Sequence, residues 1–202
     1  MPRKVPTLIE AKRTLLLIVD MQERLVAAIR DGEAVLDETR RLLAAARRWG
    51  IPVVSSVHCP DALGAACEAL RGRWESREIM RKTVFSCLGA TALRCLRRPP
   101  GRLWCAGSKT HVCVLQTVLD LLARRRQVFV VASAVSSQLE IDKTLALKRM
   151  AQSGAQIVTF DMVMFEWIRT ADHPAFRDVL AMVKDRRARR EDGRGSTRIC
   201  GR

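Results

Sequence analysis

The sequence contains no tyrosine, three histidines and an aromatic share of only 4%. Proteins that bind RNA by base stacking need exposed aromatic rings, so this composition disfavours that mode of recognition. Neither GxGxxG nor GxxxxGK[ST] occurs, which excludes the two common glycine-rich phosphate loops. No apolar run reaches the roughly 20 residues that span a bilayer, because the longest run, Leu15 to Val19, is closed by Asp20. We therefore expect no membrane partner.

The seven cysteines follow no disulfide pattern, since their number is odd and no CxxC is present. Without a secretion signal, this favours a reducing intracellular compartment. The cytoplasm is the favoured location, with an organelle such as the mitochondrion left open. The missing CxxC and the few histidines also disfavour a structural zinc site. We expect no cofactor.

The charge is strongly positive, with 36 Lys and Arg against 21 Asp and Glu, a net +15. One interpretation is a surface for nucleic acid, as in an RNA-binding protein or a ribonuclease. The other is a set of solvated helix faces followed by a basic tail. No acidic cluster suits two-metal phosphodiester chemistry, so the second interpretation is favoured.

Apolar strands alternate with amphipathic helices along the chain, which predicts a parallel sheet with helices on both faces. The six predicted strands are Thr14–Val19, Val53–Val57, Arg77–Arg81, Arg102–Ala106, Gln127–Ala132 and Gln156–Phe160. Predicted helices include Gln22–Arg30 and Val112–Arg125, and the last runs from Pro174 to Arg187. We predict one domain over residues 1–187 and a basic tail without regular structure over 188–202, because that segment has little to bury.

Three reactive side chains follow different predicted strands. Asp20 comes directly after the first strand, Lys82 after the third, and Cys113 after the fourth and its loop. Ligands of open parallel sheets bind at the carboxyl ends of strands, so the three are expected to meet there. A thiol at a helix start, an acid and a base form a coherent site for nucleophilic catalysis. Taken singly, each also fits an ordinary role: a helix cap, a solvated lysine and a buried thiol.

Around these residues the sequence resembles the isochorismatase-like cysteine hydrolases, and in particular their nicotinamidase-related subgroup. The resemblance extends from about Thr14 to Val183. It is carried by ordered segments: LLIVDMQ at 16–22, KTVFS at 82–86, GSKTHVCV at 107–114, VASAVSS at 131–137, MVMFE at 162–166 and HPAF at 173–176.

This resemblance implies a three-layer Rossmann-like fold with a six-stranded, mainly parallel sheet and an Asp20–Lys82–Cys113 triad. Cys113 would attack a carbonyl carbon, Asp20 would move the proton, and Lys82 would support the ionised site. The backbone N–H groups of Lys109 and Cys113 would form the oxyanion hole, with a cis peptide bond between Ser108 and Lys109. The residues expected near the substrate are Gln22, His58, Phe85, Ser108 and Thr110.

The sequence also departs from the family pattern. The subgroup usually carries acidic residues where this chain has Lys109 and Ser133, a change that favours an anionic substrate. Nicotinamidases place an Asp-x-His…His metal set after the second strand. This chain offers only His58, so no catalytic metal is expected.

Three functions stay open on this evidence. The leading one is a cysteine-dependent hydrolase acting on a small amide or related carbonyl compound. The alternatives are an RNA-binding protein or ribonuclease, and a catalytically inactive family member. The resemblance implies a homo-oligomer, a dimer or larger.

Overall fold

The structure is a computed structural model that describes residues 8–70, 78–89 and 102–196. Within them, six strands form one sheet in which every neighbouring pair runs parallel. In chain order these are β1 (Thr14–Val19), β2 (Val53–His58), β3 (Ile79–Lys82), β4 (Arg102–Gly107), β5 (Gln127–Val135) and β6 (Gln156–Val158). The expected six-stranded parallel sheet is confirmed.

In the described residues, helices lie between the strands and after the last one. Their bounds are α1 (Glu23–Ala27), α2 (Gly32–Arg48), α3 (Pro60–Leu63), α4 (Leu115–Ala123), α5 (Glu140–Gln152), α6 (Phe160–Ile168) and α7 (Phe176–Ser196). A π-helical turn, Thr110–Val114, leads directly into α4. Among the described residues, no helix is both long and apolar enough to cross a membrane.

The central strand β1 is buried along its whole length because helices lie on both sides of it. Alternate strand residues point to opposite faces of a sheet. Leu15, Leu17 and Val19 belong to the core cluster that includes apolar residues of α4 and α5. Leu16 and Ile18 therefore point to the other face, where α2 contacts β1, β4 and β5. This is the three-layer arrangement that the sequence predicted.

The strand order β3-β2-β1-β4-β5-β6 reverses direction between β1 and β4. In open parallel sheets this switch point opens a crevice at the carboxyl ends of the strands, where ligands bind. The loops after β1 and β4 meet there. Gly107 allows the approach, since a Cβ at that position would lie only 2.3 Å from the carbonyl oxygen of Val19.

Two helices near the site differ from the predictions. The helix predicted over Gln22–Arg30 ends at Ala27, and the N–H of Arg30 donates to the carbonyl of Ser137 instead of continuing the helix. The helix predicted from Val112 begins with the π-helical turn at Thr110. The sequence Arg-Pro-Pro-Gly at 98–101 is typical of a turn, and it lies outside the described residues.

The chain divides into two compact units at Phe160. In the second unit, Asp161 accepts hydrogen bonds from Arg186 and Arg187. Helix α7 continues to Ser196, so the tail predicted to lack regular structure is helical over residues 188–196. The rest of the tail lies outside the described residues.

Candidate active site

Asp20 lies at the end of β1 in the left-handed region, with φ 52°, and is fully buried. This turn directs its carboxylate across the end of the sheet, toward β2 and β3. Oδ1 accepts a hydrogen bond of 2.7 Å from the Ser56 hydroxyl. Oδ2 accepts one of 2.6 Å from the ammonium of Lys82. A buried carboxylate needs such partners, because leaving water costs it several kcal/mol.

Lys82 is the last residue of β3, and its side chain is only 2% exposed. Its ammonium donates to the Asp20 carboxylate, to the carbonyl of Phe85 at 2.9 Å and to the carbonyl of Val84 at 3.3 Å. An ammonium group has three protons, so these three acceptors use all of them. The lysine is therefore a fixed part of a buried ion pair and not a solvated surface residue.

Cys113 lies in the π-helical turn and is buried. Burial raises the pKa of its thiol well above the ordinary 9.0, and the charge of Asp20 raises it further, while Lys82 opposes the shift. A hydrogen bond between the thiol and the Asp20 carboxylate also raises this pKa. The thiol therefore keeps its proton and lies beside the buried ion pair of Asp20 and Lys82. The expected activation by a helix start is outweighed.

The loop before Cys113 corrects one expectation. No cis peptide bond occurs in the described residues, so the bond between Ser108 and Lys109 is trans. The turn is made instead by Lys109, which has φ 53°. The N–H of Ser108 donates to the carbonyl of Val19, and its hydroxyl donates to the carbonyl of Asp20 at 2.5 Å. Ser108 thereby joins the loops that carry Asp20 and Cys113.

Gln22 and Thr110, two of the residues expected near the substrate, are buried close to the triad. The Gln22 amide binds backbone: its oxygen accepts from the N–H of His58 at 2.7 Å, and its nitrogen donates to the carbonyls of His58 and Gly64. This links the loop after β1 to the end of β2. The Thr110 hydroxyl is buried without a hydrogen-bond partner among the described residues.

His58 and Phe85 form an aromatic pair at the edge of the site. Their ring centroids are 5.4 Å apart, and the Phe85 side chain is exposed. His58 Nε2 lies 3.7 Å from the Cys59 sulfur, whereas Nδ1 is buried without a partner in the described part of the chain. A cleft of about 350 Å³ opens beside Lys82; its lining includes Cys59, Arg81 and Thr83, but not Asp20 or Cys113.

Two further residues of the site are not among those predicted from the sequence, namely Ser56 and Cys87. Ser56 bonds Asp20, and the Cys87 thiol lies 3.3 Å from the Ser56 hydroxyl. The signal that the sequence offers is the polar pair Ser55-Ser56 between the apolar residues of a buried strand.

The two positions that depart from the family pattern lie in different surroundings. Lys109 has no ion-pair partner in the described ranges. The hydroxyl of Ser133 donates to the carboxylate of Glu38, a buried residue of α2. His111 contacts Ser137 and Asp142 instead of the triad. No group of three or more His, Cys, Asp or Glu side chains in residues 8–70, 78–89 and 102–196 could hold a metal ion.

Comparison with known proteins identifies the class to which this site belongs. Residues 14–162 match the isochorismatase domain. Isochorismatase domain-containing protein 1 of Salmo salar is 35% identical over 173 residues, which cover 85% of this chain and 61% of that protein. Isochorismatase domain-containing protein 2 of Bos taurus is 33% identical over 174 residues, which cover 85% of this chain and 83% of that protein. The chain belongs to the isochorismatase family of hydrolases, and it spans about three fifths of the length of the salmon relative.

Solved structures share the fold. The MAR1 ribonuclease of Caenorhabditis elegans superposes with a TM-score of 0.82 at 31% identity, covering 88% of this chain and 92% of that one. The YcaC gene product of Escherichia coli, an octameric hydrolase of unknown specificity, superposes with a TM-score of 0.81 at 21% identity. The match covers 96% of this chain and 99% of that one. A pyrazinamidase/nicotinamidase of Streptococcus mutans superposes with a TM-score of 0.60 at 20% identity, covering 72% of this chain and 99% of that one. Membership of the nicotinamidase-related subgroup stays a prediction.

Replacing Lys82 by Met tests the buried ion pair. The variant leaves the Asp20 carboxylate buried without its cation, and we expect the free energy of unfolding in urea to fall by about 3–5 kcal/mol. Arg81→Met is the matched control. It removes the neighbouring cation, which is paired with Asp61 at 3.0 Å but is 67% exposed. The control should cost less than about 1 kcal/mol; equal losses in the two variants would contradict the burial argument.

The buried thiols predict a loss of stability in alkali. Burial raises the pKa of Cys87, Cys105 and Cys113 above the ordinary 9.0. Above about pH 9 the unfolded chain releases these protons while the folded protein keeps them. Each buried thiol should therefore lower the free energy of unfolding by about 1.4 kcal/mol per pH unit.

Urea unfolding of the wild type and of Cys105→Ala between pH 8 and pH 10.5 measures this effect. The cavity in the variant lowers the free energy of unfolding at every pH. Above about pH 9, however, this free energy should fall less steeply with pH in the variant than in the wild type, by the contribution of one proton. Parallel slopes for the two proteins would show that Cys105 ionises normally in the folded state.

Proposed function

We propose that the protein is a cysteine-dependent hydrolase that cleaves a small amide or related carbonyl compound through a thioester on Cys113. The observation that carries the proposal is the Asp20 carboxylate, which Lys82 and Ser56 hold in place and whose charge acts on the buried Cys113 thiol. A thiol beside a fixed base has the geometry of nucleophilic catalysis.

In the first half of the reaction, Asp20 takes the proton of Cys113 as the sulfur attacks the carbonyl carbon. The tetrahedral intermediate then collapses: its C–N bond breaks, and Asp20 gives the proton to the departing amine. The ammonium of Lys82, 2.6 Å from Asp20, holds the carboxyl group in position for both transfers. The product of this half is a thioester of Cys113.

In the second half, Asp20 takes a proton from water, and the resulting hydroxide attacks the thioester carbon. The C–S bond breaks, the acid product leaves, and the proton returns to the sulfur. We assign the oxyanion hole to the backbone N–H groups of Lys109 and Cys113. The N–H of Lys109 has no hydrogen-bond partner among the described residues, which leaves it available for this role. Each such donor typically lowers the barrier by about 3 kcal/mol.

The surroundings favour a small substrate with an anionic group. The unpaired ammonium of Lys109 would attract negative charge, and the ring of Phe85, 48% exposed, offers an apolar contact next to His58. We also propose a homo-oligomer. Leu139, Ile141 and Leu145, at the start of α5, are each more than half exposed and would be covered in one.

A screen of small amides against the wild type and Cys113→Ala tests the proposed reaction. We expect the variant to lose at least about 1,000-fold in kcat on any amide that the wild type hydrolyses, because the nucleophile is absent. Cys105→Ala, which also truncates a buried thiol but lies outside the triad, should keep its activity. Full turnover by Cys113→Ala would contradict the mechanism, and a wild type without activity on any amide would favour an inactive family member.

RNA binding is a second candidate function, favoured by two observations. One is the similarity to a protein named as a ribonuclease. The other is a group of cations at the amino-terminal edge of the sheet, opposite Cys113: Lys12 and Arg13 precede β1, and Arg124, Arg125 and Arg126 precede β5. None of these five side chains has an ion-pair partner in the described residues. By contrast, Arg40 and Arg41 are paired with Asp37.

A salt titration of RNA binding tests this second candidate. Fluorescence anisotropy would compare a labelled single-stranded RNA with the wild type and with the triple variant Arg124→Gln/Arg125→Gln/Arg126→Gln. If the three arginines contact phosphates, the slope of log K against log salt should decrease in magnitude by about 2, or 0.7 per contact. The control, Arg40→Gln/Arg41→Gln/Arg47→Gln, removes equal charge from paired arginines. Equal effects of the two triples would reject a specific surface.

A further inference from the structure

The Ser56 hydroxyl is a second fixed contact of the Asp20 carboxylate. Ser56 is fully buried in β2, and its Oγ lies 2.7 Å from Asp20 Oδ1. The other oxygen, Oδ2, is bound by Lys82 at 2.6 Å. The carboxylate is therefore held at both oxygens, from two different strands, and cannot rotate without breaking one of the two bonds.

The surroundings of Ser56 determine where its proton points. The backbone N–H of Asp20 and the thiol of Cys87 each lie 3.3 Å from the Ser56 Oγ, and both donate to it. A hydroxyl has one proton and two acceptor sites. With both acceptor sites filled by donors, the single proton of Ser56 is directed to Asp20 Oδ1.

Cys87 is itself fixed and kept neutral. Its backbone N–H donates to the Thr117 hydroxyl at 3.0 Å, and its side chain is fully buried. Burial and the nearby charge of Asp20 raise the pKa of the Cys87 thiol, so that it keeps its proton and remains a donor. The proposed reaction does not use this thiol.

We propose that Ser56, oriented by the Cys87 thiol, is a positioning residue that aligns the Asp20 carboxylate for proton exchange with Cys113. The proposal rests on the function proposed for Cys113 and adds a hydrogen-bonded chain from Cys87 through Ser56 to Asp20. Ser56 touches neither the thiol of Cys113 nor the substrate in this scheme; it acts through Asp20.

The removal of the Ser56 hydroxyl should slow the acylation of Cys113. Without this hydrogen bond the freed oxygen of Asp20 can rotate away from the thiol. The loss of one hydrogen bond to a charged group corresponds to roughly a 10- to 100-fold decrease in rate.

Acylation of Cys113 by p-nitrophenyl acetate measures this effect without knowledge of the natural substrate. The rate of p-nitrophenol release would be recorded, and the acetyl group located by peptide mass spectrometry. We expect Ser56→Ala to show the decrease and Ser56→Thr, which keeps a hydroxyl, to restore most of the rate. Cys87→Ala should slow acylation several-fold, whereas Cys87→Ser, which keeps a donor, should not. Cys105→Ala controls for the loss of a buried thiol elsewhere in the core.

The outcomes separate the two proposals. If the wild type acquires no acetyl group on Cys113, the proposed function fails and the role of Ser56 fails with it. If Cys113 is acetylated but Ser56→Ala keeps the wild-type rate, only the role of Ser56 is overturned. The same holds if Ser56→Thr is as slow as Ser56→Ala. Should Ser56→Ala fail to fold, the contrast between Cys87→Ala and Cys87→Ser decides, and equal rates overturn the proposal.

Discussion

The buried ion pair between Asp20 and Lys82 is the interaction on which the site depends. Two charges taken out of water are stable only if their geometry is good and their other hydrogen-bonding groups are satisfied. Here the partners come from the ends of β1 and β3, with β2 between them. The intervening strand supplies Ser56 to the carboxylate, and the carbonyls of Val84 and Phe85 complete the shell of the ammonium.

The backbone brings this pair to the thiol through two residues in unfavourable conformations. Asp20 and Lys109 are not glycines, yet both have a φ near +50°. Such residues cost on the order of 1–3 kcal/mol each and persist where the surrounding structure holds them. At this site Ser108 restrains the loops after β1 and β4, because it bonds the backbone of both Val19 and Asp20. The two loops can approach this closely because position 107 is a glycine, the only residue that fits there. The close contact between β1 and β4 therefore places acid and nucleophile together.

Much of this arrangement could be predicted from the sequence, because it depends on local patterns. The bounds of β1 follow directly from its apolar run, and the placement of Asp20, Lys82 and Cys113 after three parallel strands explains why they meet. The contacts of Ser56 with Asp20 and with Cys87 span 36 and 31 residues. The local pattern shows two serines in a buried strand but does not indicate which residues they contact. The trans bond before Lys109 and the π-helical turn depend on how the loops after β1 and β4 pack against each other. The local sequence therefore does not predict either of them.

In the resting site the proton lies on the Cys113 thiol, which neighbours the Asp20 carboxyl group. Infrared difference spectroscopy between the wild type and Cys113→Ala at neutral pH measures where this proton lies. We expect an S–H stretching band that is lost in Cys113→Ala and altered in Asp20→Asn. A wild type that lacks this S–H band and instead shows the C=O band of a protonated Asp20 would contradict this assignment, because the proton would then already lie on the acid.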